Sequence, residues 1–333
     1  MDLKPLALAL LLAAPAAADP VRLATWNPGL SREGPGLLLR DIAARDAQVM
    51  AAAAVIAAAA PDAILLTGFD WDLDGRALAA FQQVLVDAGH ALPHSLALQP
   101  NSGVATGLDL DGDGRLGGPR DAQGYGRFTG QGGMALLSRL PLVAAEDHSA
   151  FLWRDLPGSR MPADGAASQR LSSTAHWQVT LQTPDGPLQL LSMSATPPAF
   201  EPRNIARNHD ELAFWLGRLP PARFSVIGNL NVDPEDGDGD PAALRRLLEQ
   251  VQDPRPRSTR IPGPEDAGHR GDPLLDTAAY APPTGNLRLD YILPSPDLRV
   301  ADAGIVWPAP DDPLAEAVET ASHRRLVWVD LAP

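Results

Sequence analysis

Three places in the chain carry side chains whose types and spacing could do chemistry. The stretch DLDGDGRL sets Asp109, Asp111 and Asp113 at alternate positions ahead of Gly114. That is the first half of a calcium loop: three carboxylates for a hard cation, a glycine for the sharp turn, and a backbone carbonyl offered by Arg115. The closing position of such a loop falls on Arg120 with Asp121 one place later, and Pro119 argues against a helix leaving it. Calcium held over residues 109–121 at the millimolar levels found outside the cytoplasm, and a plain acidic turn, both satisfy this spacing. A second acidic run, Asp233, Asp236, Asp238 and Asp240, reads either as the lip of a site or as a loop capped into a helix by Asp240. The third group is Arg203, Arg207 and His209 with Asp210, near the start of a predicted helix where free N–H groups and the helix dipole favour an anion. A surface helix turn held by ion pairs is the alternative for that group.

The elements that must position these groups follow from hydrophobic periodicity. Short β-type runs at 21–26, 63–67, 134–137, 176–181, 188–193, 224–227, 289–293 and 326–330 predict strands. Helical spacing predicts helices over 46–60, 75–88, 204–216 and 241–251, with Asp46, Asn204 and Asp240 as N-caps. Strand and helix alternate without a clear linker, which predicts one α/β domain over 19–333. Several strands follow one another directly, as antiparallel pairs do, so a simple parallel array is excluded and two packed mixed sheets with helices outside are expected. Loops over 99–133, 157–168 and 253–273 are long and rich in Gly, Asp or Pro, as functional or mobile loops are.

Composition narrows the partners. Net charge is −14, and such a surface repels polyphosphate, which argues against sequence-independent binding of duplex nucleic acid as the main activity. There are no cysteines, so disulfides and thiolate metal sites are excluded. Lys4 is the one lysine, and every other cation is an arginine. Lys4, the apolar run 6–14 and the triplet Ala16, Ala17 and Ala18 have the layout of a secretory signal peptide over residues 1–18, which predicts an exported, periplasmic or extracellular protein. No segment approaches the roughly 20 apolar residues of a membrane span.

Read in order, ATWN (24–27), PDAILLTGFD (61–70), SRLP (138–141), ATPP (195–198), RNHDE (207–211), GNLN (228–231), RLDYIL (288–293) and SHRRLVW (322–328) resemble the endonuclease/exonuclease/phosphatase family from about residue 21 to the C-terminus. The resemblance implies an α/β fold, a four-layer sandwich of two mixed β-sheets flanked by helices. It also implies Mg²⁺ or Mn²⁺ as cofactor and hydrolysis of phosphate esters. In that family an Asn after the first strand and a Glu closing the next hold the metal. An Asp-x-Asn pair orients water and metal, and a C-terminal Asp-His pair completes the site, its His steadied by the Asp of an Asp-Tyr motif.

Carried over by position, Asn27 matches the metal-side Asn, Asn231 the second member of the Asp-x-Asn pair, and Asp290 the carboxylate that steadies the His. The remaining positions depart from the pattern. The Glu becomes Gly68, the water-orienting Asp becomes Asn229, a His before ATPP becomes Ser194, and the terminal Ser-Asp-His becomes Ser322, His323 and Arg324. Asp70, two residues past Gly68 and so on the same face of an extended strand, is the candidate replacement metal carboxylate, beside Asp72 and Asp74. His323 is the candidate replacement imidazole if the loop before the last strand bends, and Arg324 is expected to pair with Asp290. Asn27, Gly68, Asn231, Asp290 and Arg324 are expected to gather at one edge. Two functions are consistent with these residues: a divergent metal-dependent hydrolase of a small phosphate ester, and a non-catalytic relative that binds a ligand or partner in the old cleft.

Overall fold

Period-two alternation in the strands decides which layer each side chain joins. In β1 (Val21–Trp26), Val21 and Leu23 point into one core while Ala24 and Trp26 point into another. The next strand, β2 (Ala63–Phe69), divides in the same way, Leu65 to one side and Ile64 and Leu66 to the other. The structure, a computed structural model, describes residues 19–163 and 165–333; residues 1–18, on which the export signal is read, lie outside the described residues.

The first sheet adds β3 (His94–Leu96), β4 (Gly133–Ser138), β10 (Arg299–Val306) and β11 (Leu326–Ala332), in the order β10-β11-β1-β2-β4-β3. The second contains β5 (Leu142–Asp147), β6 (Ala175–Thr183), β7 (Gly186–Ser194), β8 (Phe224–Asn229) and β9 (Asp290–Pro294), in sequence order. The sheets pack face to face through Leu23, Leu65 and Leu136 on one side and Trp177, Leu190 and Ile292 on the other. Outside the first sheet lie α1 (Leu37–Ala43), α2 (Ala47–Ala59), α3 (Arg76–Asp87) and α6 (Ala315–Ala321). Outside the second lie α4 (Pro202–Leu216) and α5 (Ala242–Leu248). The result is the four-layer α/β sandwich.

One parallel pair in each sheet builds the site. Strand β1 runs parallel to β2, and β7 parallel to β8, while the other pairings are antiparallel. The C-terminal ends of β1, β2, β7 and β8 therefore emerge together, which brings Asn27, Gly68, Ser194 and Asn229 to one edge. The antiparallel neighbours supply their starts at that same edge: Asp290 opens β9 in register with Asn229, and Arg324 immediately precedes β11.

The elements not anticipated are short or exposed. Strands β3, β5 and β10 lie at sheet edges, β5 is exposed along most of its length and β10 over its first half, so none shows a buried alternation. Helices α1 and α6 run seven residues each, too short for a clear period. Asp46 caps α2 by accepting from the Gln48 N–H at 3.0 Å, as expected. Asn204 does not cap α4: the helix begins at Pro202, whose missing N–H suits a first-turn position. No single helix among the described residues is long and apolar enough to cross a membrane. The bent pair α1–α2 has the composition, but its apolar residues belong to the core under the first sheet.

Candidate functional site

The converging strand ends open into a cavity of about 570 Å³. Its floor is made of Asn27, Gly68, Ser194, Asn229, Asn231 and Arg324. Asp290 lies directly behind Arg324, 1% exposed, and both of its oxygens are engaged. Asn229 Nδ2 donates to Oδ1 at 2.7 Å, and Thr277 Oγ1 and Arg324 Nη1 donate to Oδ2 at 3.0 and 3.1 Å. The other guanidinium nitrogen, Arg324 Nη2, donates to Asn231 Oδ1 at 3.0 Å. Asn231 is held to receive it: its backbone is left-handed, φ 55°, which asparagine tolerates, and its Nδ2 donates to the Ala195 carbonyl at 2.6 Å. The expected ion pair of Arg324 with Asp290 is thus present, and it crosslinks the starts of β9 and β11 to the end of β8.

The floor does not fit a divalent metal. Such an ion needs several oxygens turned toward it, carboxylates among them, and here the oxygens are turned to other donors and the one carboxylate to a guanidinium. The oxygens of Asp290 are used as described, Asn231 Oδ1 accepts from Arg324, and Asn27 Oδ1 accepts from the Gly29 N–H at 3.0 Å. Gly68 is not simply a shortened ligand. Its φ is +64°, a conformation side chains rarely adopt, and a Cβ there would run into the Asn27 side-chain amide, which has taken the space. A guanidinium carries the positive charge that a metal would bring.

Asp70 does not replace the missing carboxylate. It is 5% exposed and turned away from the cavity, accepting from Ser31 Oγ at 2.8 Å, the Arg32 N–H at 2.7 Å and the Gly132 N–H at 2.8 Å. It stitches the loop after β1 to the loop before β4, and burial pushes its carboxyl up from the usual range despite those donors. The β2 twist at Gly68 is the reason that spacing misled, because the ladder to β4 is irregular between Thr67 and Phe69. His323 is also not a site imidazole. It is exposed, outside the cavity lining, with its ring 5.3 Å from that of Tyr280.

The third sequence group divides. Arg207 reaches the cavity wall, and its Nε and Nη2 donate to the carbonyls of Leu171, Gln123, Arg170 and Ser172 rather than to a carboxylate. Burial pulls its guanidinium down to about 10, so it stays charged at neutral pH. The nearby Glu211 is fully buried, with its oxygens on the N–H groups of Ser173 and Thr196, and burial pushes its carboxyl up. Arg203 sits at the rim, 2.6 Å from Glu201, which Arg120 approaches at 3.3 Å from the other side. His209 is buried away from the cavity with Nδ1 2.9 Å from Asp210, whose other oxygen accepts from Trp153 Nε1 at 2.7 Å. That dyad is structural.

In the acidic loop, the expected set Asp109, Asp111 and Asp113 is corrected to Asp109, Asp111 and Asp121, whose oxygens lie within 4.8 Å of one another. Asp113 instead accepts from the Arg115 N–H at 2.8 Å. Asp109 accepts from the N–H groups of Gly112 and Gly114 at 2.7 and 2.9 Å, and Asp121 from those of Leu110 and Gly118 at 2.8 and 2.9 Å. Further along, Asp240 is not the N-cap of α5, a position that Pro241 takes, although it accepts from the Ala242 N–H at 2.9 Å just before the helix. Sequence reasoning passed over Arg120, Tyr125, Phe200 and Glu201, all lining the cavity. An aromatic between ATPP and a helix-opening proline was the available signal for Phe200.

A family model described as "Endonuclease/Exonuclease/phosphatase family" matches residues 24–323. No curated protein matches the chain. Among solved structures it is similar to an endonuclease/exonuclease/phosphatase from Beutenbergia cavernae DSM 12333, with TM-score 0.58 and 19% identity over 95% of this chain and 72% of that one. It is also similar to a family protein from Leptotrichia buccalis C-1013-b, with TM-score 0.55 and 14% identity over 94% of this chain and 100% of that one. A third is sphingomyelinase C from Streptomyces griseocarneus, with TM-score 0.52 and 18% identity over 94% of this chain and 99% of that one. At these identities the likeness is one of fold.

Proposed function

Since the chain belongs to the endonuclease/exonuclease/phosphatase family, whose members are phosphoesterase-type hydrolases, we propose that its cleft still receives a small phosphate ester but binds it without metal-dependent hydrolysis. The observation that carries this reading is the charge at the cavity: four arginines, Arg120, Arg203, Arg207 and Arg324, against Glu201 at the rim and the buried Asp290 behind Arg324, which leaves an excess of positive charge in a chain of net charge −14. An electropositive hollow in an acidic protein concentrates small anions, while the acidic surface around it repels polyphosphate. Guanidinium groups suit phosphate oxygens in paired hydrogen bonds.

Hydrolysis is disfavoured by the same residues. Asn229 stands where the family resemblance puts the water-orienting carboxylate, and an amide does not take a proton from water. Asp290, the carboxylate behind the floor, is buried and tied to Asn229, Thr277 and Arg324, so it is not placed to take a proton from a water in the cavity. The family's hydrolase activity is the competing reading, with Mg²⁺ or Mn²⁺ as cofactor.

The test is titration calorimetry of the protein lacking residues 1–18 with small phosphate monoesters, in EDTA and in Mg²⁺ or Mn²⁺, alongside phosphate-release assays. Binding that survives EDTA and weakens with salt, with no turnover on monoesters or on abasic and single-stranded DNA, is expected. Turnover that needs metal and disappears in Asn231→Ala would overturn the reading. We also propose export, from the residue pattern of 1–18; a secreted or periplasmic product whose N-terminus is near Asp19 is the expected result of fractionation and intact-mass measurement.

A further inference from the structure

The mouth of the cleft differs in character from its floor. Two aromatic side chains line it, Tyr125 at 64% exposure and Phe200 at 87%. Each is presented by backbone that is held stiffly. Phe200 has φ 71°, a left-handed conformation that a bulky non-glycine residue rarely adopts. Its turn is fixed by hydrogen bonds on both sides: Ala199 N–H to Pro197 O at 2.8 Å, Glu201 N–H to Ala199 O at 2.9 Å, and Asn204 Nδ2 to Ala199 O at 2.7 Å. Tyr125 lies between Gly124 and Gly126. A Cβ on Gly124 would meet the Ser173 carbonyl and one on Gly126 the Gly103 nitrogen, so this segment is pressed flat against its neighbours and the tyrosine projects outward. A strained, hydrogen-bonded turn that holds a phenyl group in water, beside a cavity, contributes nothing to the core; it is a feature to be explained by what enters the cavity.

The geometry points to a ligand of two parts: a phosphate group that meets Arg324 and the asparagines of the floor, and an aromatic ring system, attached through the ester oxygen, that lies against Tyr125 and Phe200 at the mouth. The ligand class is therefore aryl or nucleoside-type phosphate esters, in preference to phosphates of sugars or short alkyl alcohols. This inference rests on the phosphate-ester reading of the cleft and adds the identity of the alcohol part. Arg120 and Arg203, at the same rim, can stack on a ring face as well as attract charge. Ring stacking on aromatic side chains is worth roughly tenfold or more in affinity per ring.

The probes are phenyl phosphate and methyl phosphate, which share the phosphate group and differ in the ring. Calorimetry on the chain from residue 19 onward is expected to show phenyl phosphate binding about tenfold tighter or more. Phe200→Ala and Tyr125→Ala, both at exposed positions, should each cut that preference several-fold, weakening phenyl phosphate more than methyl phosphate. Equal affinities for the two probes, or a preference that neither substitution changes, would overturn the aromatic mouth and leave the phosphate floor standing. Failure of both probes to bind would remove the phosphate-ester reading itself, and the ring assignment with it.

Discussion

The floor of the cleft holds one carboxylate and the loop over 109–121 gathers three, and the two regions meet that charge by different means. Asp290 faces a full positive charge, the Arg324 guanidinium, together with an amide and a hydroxyl. Asp109 and Asp121 face backbone N–H groups alone. Counter-charge cancels the field of a carboxylate; backbone dipoles orient it and lower its energy but leave its charge in place. The floor therefore has no electrostatic demand left for a cation, whereas three carboxylates within 4.8 Å in the loop keep theirs. Proximity of acidic groups in sequence is a poor guide to metal binding until the partner of each oxygen is known.

The largest expected effect breaks the counter-charge. Arg324→Ala strands Asp290 in the interior, and removal of one partner of a buried pair costs about 3–5 kcal/mol. Urea unfolding should show a loss of that size, and Asp290→Asn in the same chain should recover part of it. A cost below about 1 kcal/mol, the range of exposed pairs, would mean that Asp290 is neutralised by something else.

A second test uses a group that meets burial by staying uncharged. His176 is fully buried on β6, against Phe214 and Trp215, with Nε2 3.0 Å from the Glu211 carbonyl, and burial holds its imidazole down at about 4. An unfolded histidine titrates near 6.5, so between those values the unfolded chain takes up a proton that the native state refuses. Its contribution is fully present above about pH 6.5 and is lost as pH falls toward 4, by ~3 kcal/mol at the end of that window. Glu211, raised by burial, acts in the opposite sense, so the measurement is a difference: the stability–pH slope of the wild type minus that of His176→Gln. No difference in slope would show that His176 is protonated in place.

Asp70 offers a smaller and sharper contrast with Asp290. Asp70→Asn puts an amide among three donors and should cost about 1–3 kcal/mol by leaving at least one of them unmatched. Phosphate-ester affinity should not change. Weakened binding at unchanged stability would return Asp70 to the site.

The sandwich was legible because its strands are short apolar runs buried on both faces and because the motifs stand in the family's order. Eight strand runs were enough to require two sheets, and the residues at their ends reached one edge as that order implied. What stayed hidden was orientation. Asp70 and Gly68 are two apart, and regular strand geometry would send both to one face, but the left-handed turn at Gly68 sends Asp70 into the Ser31–Arg32 loop. Asp113 and Asp121 exchanged roles because the loop closes through Asp121, a residue with no place in the expected spacing. The aromatic mouth was out of reach for a different reason: Tyr125 and Phe200 lie 75 positions apart in two separate loops and line one cavity only in the folded chain.

Divalent cations should give the smallest effect, and its source separates the two regions. A calcium ion at a site of millimolar affinity stabilises the native state by RT ln(1 + [L]/Kd), which is about 0.4 kcal/mol when ligand equals Kd. For a domain of this size that is a rise in Tm of about 1 °C. The loop is where such a rise would originate, since the floor carries one positive and one negative charge already in contact. Thermal unfolding in millimolar calcium should therefore show at most that shift, removed by Asp111→Asn and untouched by Asn231→Ala. Mg²⁺ and Mn²⁺, which ask for near-ideal octahedral oxygen geometry, should do no more than calcium. A shift of several degrees with either of them, abolished by Asn231→Ala, would show that the floor holds a metal after all and that Arg324 moves aside to admit it.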